Sequence, residues 1–202
     1  MHDFRKVGIL FCYLAVCYAS WEFSQAQATL FYTASDYAAF GQVPGRLASP
    51  DHNQIFDNLI VLSNKIIAKS DVGRCVIAKD KLFGYALRNQ KCYRIDHKSQ
   101  RDFEILEYRS IVIYRIYEPQ YSSKGYVPTA QYYFSKQLEA PLVKLTIENI
   151  KWAFPMAFDL HCFLDKISDP ESIAHPNSEH NRFNINDLIA QYSSQKRQFS
   201  AQ

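Results

Sequence analysis

Glu107, Arg109 and Arg115 fall at odd positions of one long apolar stretch, Phe103–Tyr117 (FEILEYRSIVIYRIY). A carboxylate with two guanidinium groups on one strand face can take up a proton and hold an anion. The same pattern also describes a cross-strand ion pair, the commoner use of such residues in a sheet. A second set lies just upstream. Lys79, Lys81, Arg88, Lys91, Arg94, Lys98 and Arg101 are interleaved with Phe83, Tyr85 and Tyr93. Cations neutralise phosphates and tyrosine rings stack on bases, so these cations with Tyr85 and Tyr93 form a candidate binding set for single-stranded nucleic acid. A tyrosine- and arginine-rich protein interface uses the same residue types. So do sheets whose edge lysines block strand addition and whose tyrosines fill the interior.

Metal chemistry is not indicated. His161 and Cys162 stand side by side without partners at ligand spacing, and no Cys-x-x-Cys occurs. No cofactor motif is present either, and no residue is assigned a catalytic role. The five cysteines divide by position. Cys12 and Cys17 belong to an amino-terminal leader, leaving Cys75, Cys92 and Cys162, an odd set for an exported chain. A Cys75–Cys92 disulfide across neighbouring strands is expected, with Cys162 reduced. A long loop closed by Cys162 with either is the alternative. No Asn-x-Ser/Thr acceptor occurs, so N-glycosylation is not expected.

The leader is read from Arg5-Lys6 followed by the apolar run Val7–Ala19 (VGILFCYLAVCYA), too short to span a bilayer as a helix. Residues 1–19 are therefore expected to be a signal peptide, with Ala28 as an alternative cleavage point, and the mature protein to be secreted with no membrane segment. Its loss removes Arg5, Lys6 and Asp3, so the net charge of +3 becomes +2, too small to name a polyanion as partner. Residues 20–164 are enough chain for one domain with a sizeable core. Residues 165–202 read as a polar extension with a short helix, Asp187–Tyr192, capped by Asn184 or Asn186.

Within the domain, Ser49-Pro50-Asp51 carries the chemistry of a helix start, and Ile55, Leu59, Leu62 and Ile66 recur at helical spacing. The sequence thus predicts one main helix over Ser49–Ser70. Strands are predicted at Thr29–Tyr32, Arg74–Ala78, Leu82–Leu87, Lys91–Ile95, Gln131–Ser135, Leu142–Ile147 and Phe154–Leu164. Glu148–Trp152 reads as a helical turn, and Glu118–Pro128 as a loop marked by Pro119, Gly125 and Pro128. At about 3.3 Å per residue, Phe103–Tyr117 as one strand would run roughly 50 Å, two to three times the usual length. A bulge or bend near Arg109–Ser110 is expected. The fold class is α+β, one main helix packed on a curved antiparallel sheet.

That layout resembles the microbial guanyl-specific ribonucleases. With the leader Val7–Ala19, the aromatic start Trp21-Glu22-Phe23, the Ser49–Ser70 helix, the Cys75 and Cys92 pair and late Cys162, it also resembles the candidate secreted effectors of powdery mildew fungi. Many of those look like ribonucleases without a catalytic site. Their mature chains usually begin aromatic-x-Cys, and here Phe23 stands in the cysteine's place. The resemblance implies a secreted effector that binds a host protein or RNA without catalysis. The alternative it carries is an active secreted ribonuclease. That would need a base, an acid and a phosphate-holding cation, drawn from His97, Glu107, Arg109 and Arg115, with a second histidine from His161, His175 or His180.

Overall fold

Phe103–Tyr117 is two strands, not one. The computed structural model describes residues 28–41, 55–122, 125–167, 172–173, 176–177 and 182–199. In it the chain reverses at Arg109–Ser110, between β8 (Arg101–Tyr108) and β9 (Val112–Ser122). The expected bend is therefore a hairpin turn. A separate bulge falls between Ile105 and Glu107, leaving Leu106 unopposed.

The hairpin is the middle of an eight-stranded sheet. β1 (Ala28–Phe31), β2 (Ile55–Phe56), β6 (Gly84–Ala86), β7 (Cys92–Asp96), β10 (Gly125–Ser135) and β11 (Val143–Lys144) complete it, in the order β11-β10-β9-β8-β7-β6-β1-β2. All the pairings are antiparallel. A second sheet is formed by β3 (Asn58–Val61), β4 (Lys65–Ser70) and β5 (Gly73–Ala78). A two-residue ladder joins β12 (Pro176–Asn177) to β13 (Arg182–Phe183).

Four helices are present among the described residues: α1 (Ala34–Gly41), α2 (Ile147–Ala153), α3 (Phe158–Leu164) and α4 (Asn184–Phe199). The α+β class holds, but its single main helix does not. Ser49–Gln54 lie outside the described residues, and Ile55–Ser70 form β2, β3 and β4. The apolar residues that suggested a helical stripe instead alternate on a hairpin. Leu59, Ile66 and Ala68 point inward, and Ser63-Asn64 make the turn between. The β-branched pairs Ile60-Val61 and Ile66-Ile67 fit a pleated surface better than a helix. Phe154–Leu164 is likewise no strand: after Pro155, Leu160 and Leu164 bury the same side of α3, one turn apart.

Directly opposed residues share a sheet face, which sorts the packing. On the front face, Leu30, Tyr85 and Ile95 pack under the three-stranded sheet with Leu59, Ile66 and Ala68. Further along the same face, Ile113, Phe134 and Val143 pack under α2, α3 and α4 through Ile150, Leu160, Leu164, Ile185 and Ile189. The back face carries Phe31, Phe103, Val112 and Tyr114 under α1 through Ala34 and Tyr37. Helix α1 is started by a capping box. Thr33 Oγ1 accepts from Asp36 N at 3.2 Å, and Asp36 Oδ2 accepts from Thr33 N at 2.8 Å.

The carboxyl-terminal region is part of this core. Phe183, Ile185 and Ile189 are buried, so residues 183–189 pack into the domain where the sequence predicts a polar extension. Asn186 does not cap the helix with its side chain; its Oδ1 accepts from Ile111 N at 2.8 Å and pins α4 to the β8–β9 turn. Arg109 Nη1 meets Asp187 at 2.7 Å across the same junction.

Candidate functional site

The centre of the front face is left between the two covering layers. A single cross-strand row runs there, Tyr85–Tyr93–Glu104–Arg115–Tyr132, from β6 to β10. Tyr85 and Tyr93 stack at 5.0 Å between ring centres. Arg115 donates to Glu104 Oε2 from Nε at 3.1 Å and from Nη2 at 2.7 Å, while Lys91 approaches Oε1 at 3.2 Å. Burial works against the Arg115 charge, but the Glu104 hydrogen bonds and charge outweigh it and hold the guanidinium above its ordinary pKa. The Arg115 guanidinium also lies 5.2 Å over Tyr117.

Next to this row is a cleft of about 560 Å³, lined by Val61–Ser63 from the β3–β4 turn and by Lys79, Arg101, Asp102 and Tyr117. It opens where β8 and β9 part: their ladder ends at Glu104–Arg115. Lys79 Nζ meets Asp102 Oδ2 at 2.5 Å, and Arg101 meets Glu118 at 2.7 Å.

Beyond that point β9 and β10 continue as a two-stranded ribbon, Ile116–Ser122 against Gly125–Gln131, paired among the described residues only with each other. Its front carries Tyr117, Pro119 and Tyr121 from one strand and Tyr126, Pro128 and Ala130 from the other. Tyr121 is 77% and Tyr126 75% exposed, and the two rings meet edge to face at 5.6 Å. The prolines of this segment predict a loop, yet it forms a regular ladder. Both prolines sit at one register position, where neither nitrogen is needed by the ladder.

The sequence-derived binding set does not form one surface. Lys79 is 2% and Arg94 8% exposed, and Tyr85 is also buried. Arg94 belongs to the back-face core: it donates to the Tyr114 hydroxyl at 3.2 Å and lies over the Phe83 and Tyr114 rings. Burial pushes the Tyr85 hydroxyl well above its ordinary pKa, with the Asp102 charge adding to it. Lys91 and Arg101 are exposed but already paired with Glu104 and Glu118, and Tyr93 is half-buried in the row. Lys81, Arg88 and Lys98 are the remaining exposed cations of the set, and they lie in the connections between strands. Periodicity on a strand does not distinguish a lysine that faces water from one that faces a carboxylate in the interior.

The acid–base set does not converge either. The bulge at Leu106 and the turn at Arg109–Ser110 remove Glu107 and Arg109 from the Arg115 row. Glu107 Oε2 accepts from Phe183 N at 2.9 Å and its Oε1 lies 3.7 Å from Arg109 Nη1, which in turn pairs with Asp187 at 2.7 Å, so these two meet each other but not Arg115. His97 is exposed in the β7–β8 turn. His161 Nε2 lies 2.9 Å from the Phe154 carbonyl oxygen. His52, His175 and His180 lie outside the described residues, as does the whole leader.

Cys75, Cys92 and Cys162 are all free thiols, so the expected Cys75–Cys92 bond is not formed. The reason is topological. Cys75, on β5, packs with the front-face cluster, whereas Cys92, on β7, packs with the back-face cluster, and the large sheet lies between them. Among the described residues no group of histidines, cysteines and carboxylates could hold a metal ion. Among the described residues no helix is long and apolar enough to cross a membrane. Comparison with protein-family models, curated proteins and solved structures finds no match.

Proposed function

We propose that this chain is a secreted fungal effector that acts by binding a host protein or RNA without turnover, with protein the favoured partner. The observation that carries the reading is the contrast between its charged and its aromatic side chains. Of the groups with the chemistry for acid–base work or anion holding, Glu104, Glu107, Asp102 and Arg109 are each engaged in a bond that holds elements together, and His97 stands apart from them in the β7–β8 turn. Large aromatic and apolar side chains, by contrast, stand in solvent: Tyr117, Tyr121 and Tyr126 on the ribbon, and Trp152, Met156 and Phe158 at the α2–α3 corner. Tyrosine, tryptophan and methionine exposed together are the residue types that protein interfaces concentrate. Polyanion binding is less favoured, because Lys79 and Arg94 are buried and Lys91 and Arg101 already face carboxylates.

The test is RNA turnover by purified protein, with His97→Ala and Glu107→Ala alongside. No degradation is expected. Degradation that either variant abolishes would overturn the binding reading in favour of a secreted ribonuclease.

A further inference from the structure

The β9–β10 ribbon stands beyond the sheet with an apolar front and a polar back. Across the strands, Tyr121 faces Tyr126, Pro119 faces Pro128 and Tyr117 faces Ala130; the reverse side carries Glu118 with Thr129 and Gln120 with Val127. A two-stranded ribbon with one apolar face is marginal in water unless something covers that face. The question is what covers it.

Strand addition is blocked on both edges. Since neither proline has an N–H, the Pro119–Pro128 pair is a non-hydrogen-bonded one, and both nitrogens point to the outer edges. Each edge therefore lacks its middle donor, which prevents another strand from continuing the ladder. A second copy of the chain is also a poor match. The front of the ribbon is roughly 20 Å by 10 Å, or about 200 Å². A stable dimer needs about 800 Å² per partner. A nucleic acid would find few partners for its phosphates, because among the described residues the cations on this side of the sheet are already paired, Arg115 with Glu104 and Lys79 with Asp102.

The occupant that satisfies all three constraints is a short, uncharged, extended segment that seeks no ladder of its own. We propose that the tyrosine–proline front of the β9–β10 ribbon docks a proline-containing peptide segment of a partner protein in the polyproline II conformation. Such a segment is extended before it binds and has no internal hydrogen bonds to break. Tyrosine rings pack against its pyrrolidine rings, and tyrosine hydroxyls donate to its carbonyl oxygens. The cleft walled by Val61–Ser63 and Tyr117 continues the same face at the ribbon's root and gives one end of the segment a seat. The proposal rests on the binding reading above and names the partner's chemistry.

The test uses the full chain and a fluorescein-labelled decaproline peptide, followed by anisotropy, with labelled decauridylate in parallel and sedimentation velocity for self-association. Decaproline is expected to bind saturably below about 1 mM. Y121S/Y126S is expected to weaken it at least tenfold, and R88A/K98A to leave it unchanged. Should the double variant not fold, Tyr121→Ser carries the test, since its ring lies in solvent. Absence of decaproline binding up to 1 mM overturns the proposal. So does tyrosine-dependent binding of decauridylate, which would assign the ribbon to nucleic acid, or tyrosine-dependent dimerisation, which would assign it to a second copy. Decauridylate binding would also shift the favoured partner from protein to RNA, whereas binding without turnover falls only if the protein degrades RNA.

Discussion

Removing Glu104 should cost far more than removing an ordinary surface carboxylate, because three cationic nitrogens converge on it. Its Oε2 takes two Arg115 donors, at 3.1 and 2.7 Å, and its Oε1 faces Lys91 at 3.2 Å. Only 11% of the Glu104 side chain is exposed, against 24% for Arg115 and 46% for Lys91. A hydrogen bond to a charged partner contributes about 1.5–3 kcal/mol, and stranding one partner of a buried pair costs about 3–5 kcal/mol. Arg115 is part-exposed, so water recovers some of that loss. Glu104→Ala is therefore expected to destabilise by about 3 kcal/mol and Arg115→Met by about 2 kcal/mol. The double variant should cost about 2 kcal/mol less than their sum, since neither charge is then stranded. Urea unfolding at pH 7 with the four members of the cycle gives the coupling directly. Repeating it at roughly 0.5 M salt should weaken only the Lys91 contribution, because that nitrogen is the most exposed. A coupling below about 0.5 kcal/mol, or one that salt abolishes, would make Arg115 a free surface cation. The inference that this face offers no unpaired charge to a phosphate would then fail.

Three further outcomes follow from the packing. A Cβ at Gly84 would lie 2.0 Å from the Tyr93 carbonyl oxygen, a backbone atom that cannot swing aside. Gly84→Ala should cost about 3 kcal/mol, lowering Tm by about 6–12 °C in a thermal scan; a drop under about 2 °C would contradict the close approach of β6 and β7. Burial disfavours the charged Asp96 carboxylate, but hydrogen bonds from Ser99 Oγ and N outweigh it and lower the pKa. Its stabilisation is therefore present above the ordinary carboxylate range and lost as pH falls below it. Asp96→Asn should be less stable than the parent at pH 7 and converge with it near pH 3, as read by urea midpoints; a gap constant with pH would sink this account. Burial pushes the Cys92 thiol up to about 11, whereas Cys162 is exposed. Iodoacetamide at pH 8 should label Cys162 first and Cys92 last, and equal rates by mass spectrometry would contradict the assigned burial.

What could be read from the residues alone was the strand content and the bend. Val112–Tyr117 alternates cleanly, and the excess length of Phe103–Tyr117 demands a turn where the chain does reverse. The helix over Ser49–Ser70 was misread for a physical reason. Ile55, Leu59, Leu62 and Ile66 fit a 3.6-residue period, but a hairpin turning at Ser63-Asn64 brings only Leu59 and Ile66 to the buried side and leaves Leu62 exposed. The signal for α1 was present and passed over: Thr33-Ala34-Ser35-Asp36 has the capping-box spacing that the Thr33–Asp36 bonds realise. The candidate site was hardest to see. Lys79, Arg94 and Tyr85 look like surface residues until the β6–β9 register sets Asp102 and Tyr114 beside them. The ribbon was hidden because prolines in a sequence argue for a loop, and only their alignment shows them serving a ladder.

The strand order also bears on how the chain assembles. Strands β6 to β10 lie beside their chain neighbours, so each can be laid down as it is synthesised. Strand β1 is made early but fits between β6 and β2, with Leu30 opposite Tyr85. It must wait, with Leu30 and Phe31 in water, until Gly84–Ala86 has emerged, while β3, β4 and β5 close on their own. Closing so distant a pair is the costly step in loop entropy. Among the strand pairings of the sheet this seam has the longest wait between the making of its two strands, and that interval is when the chain most needs shelter from its neighbours.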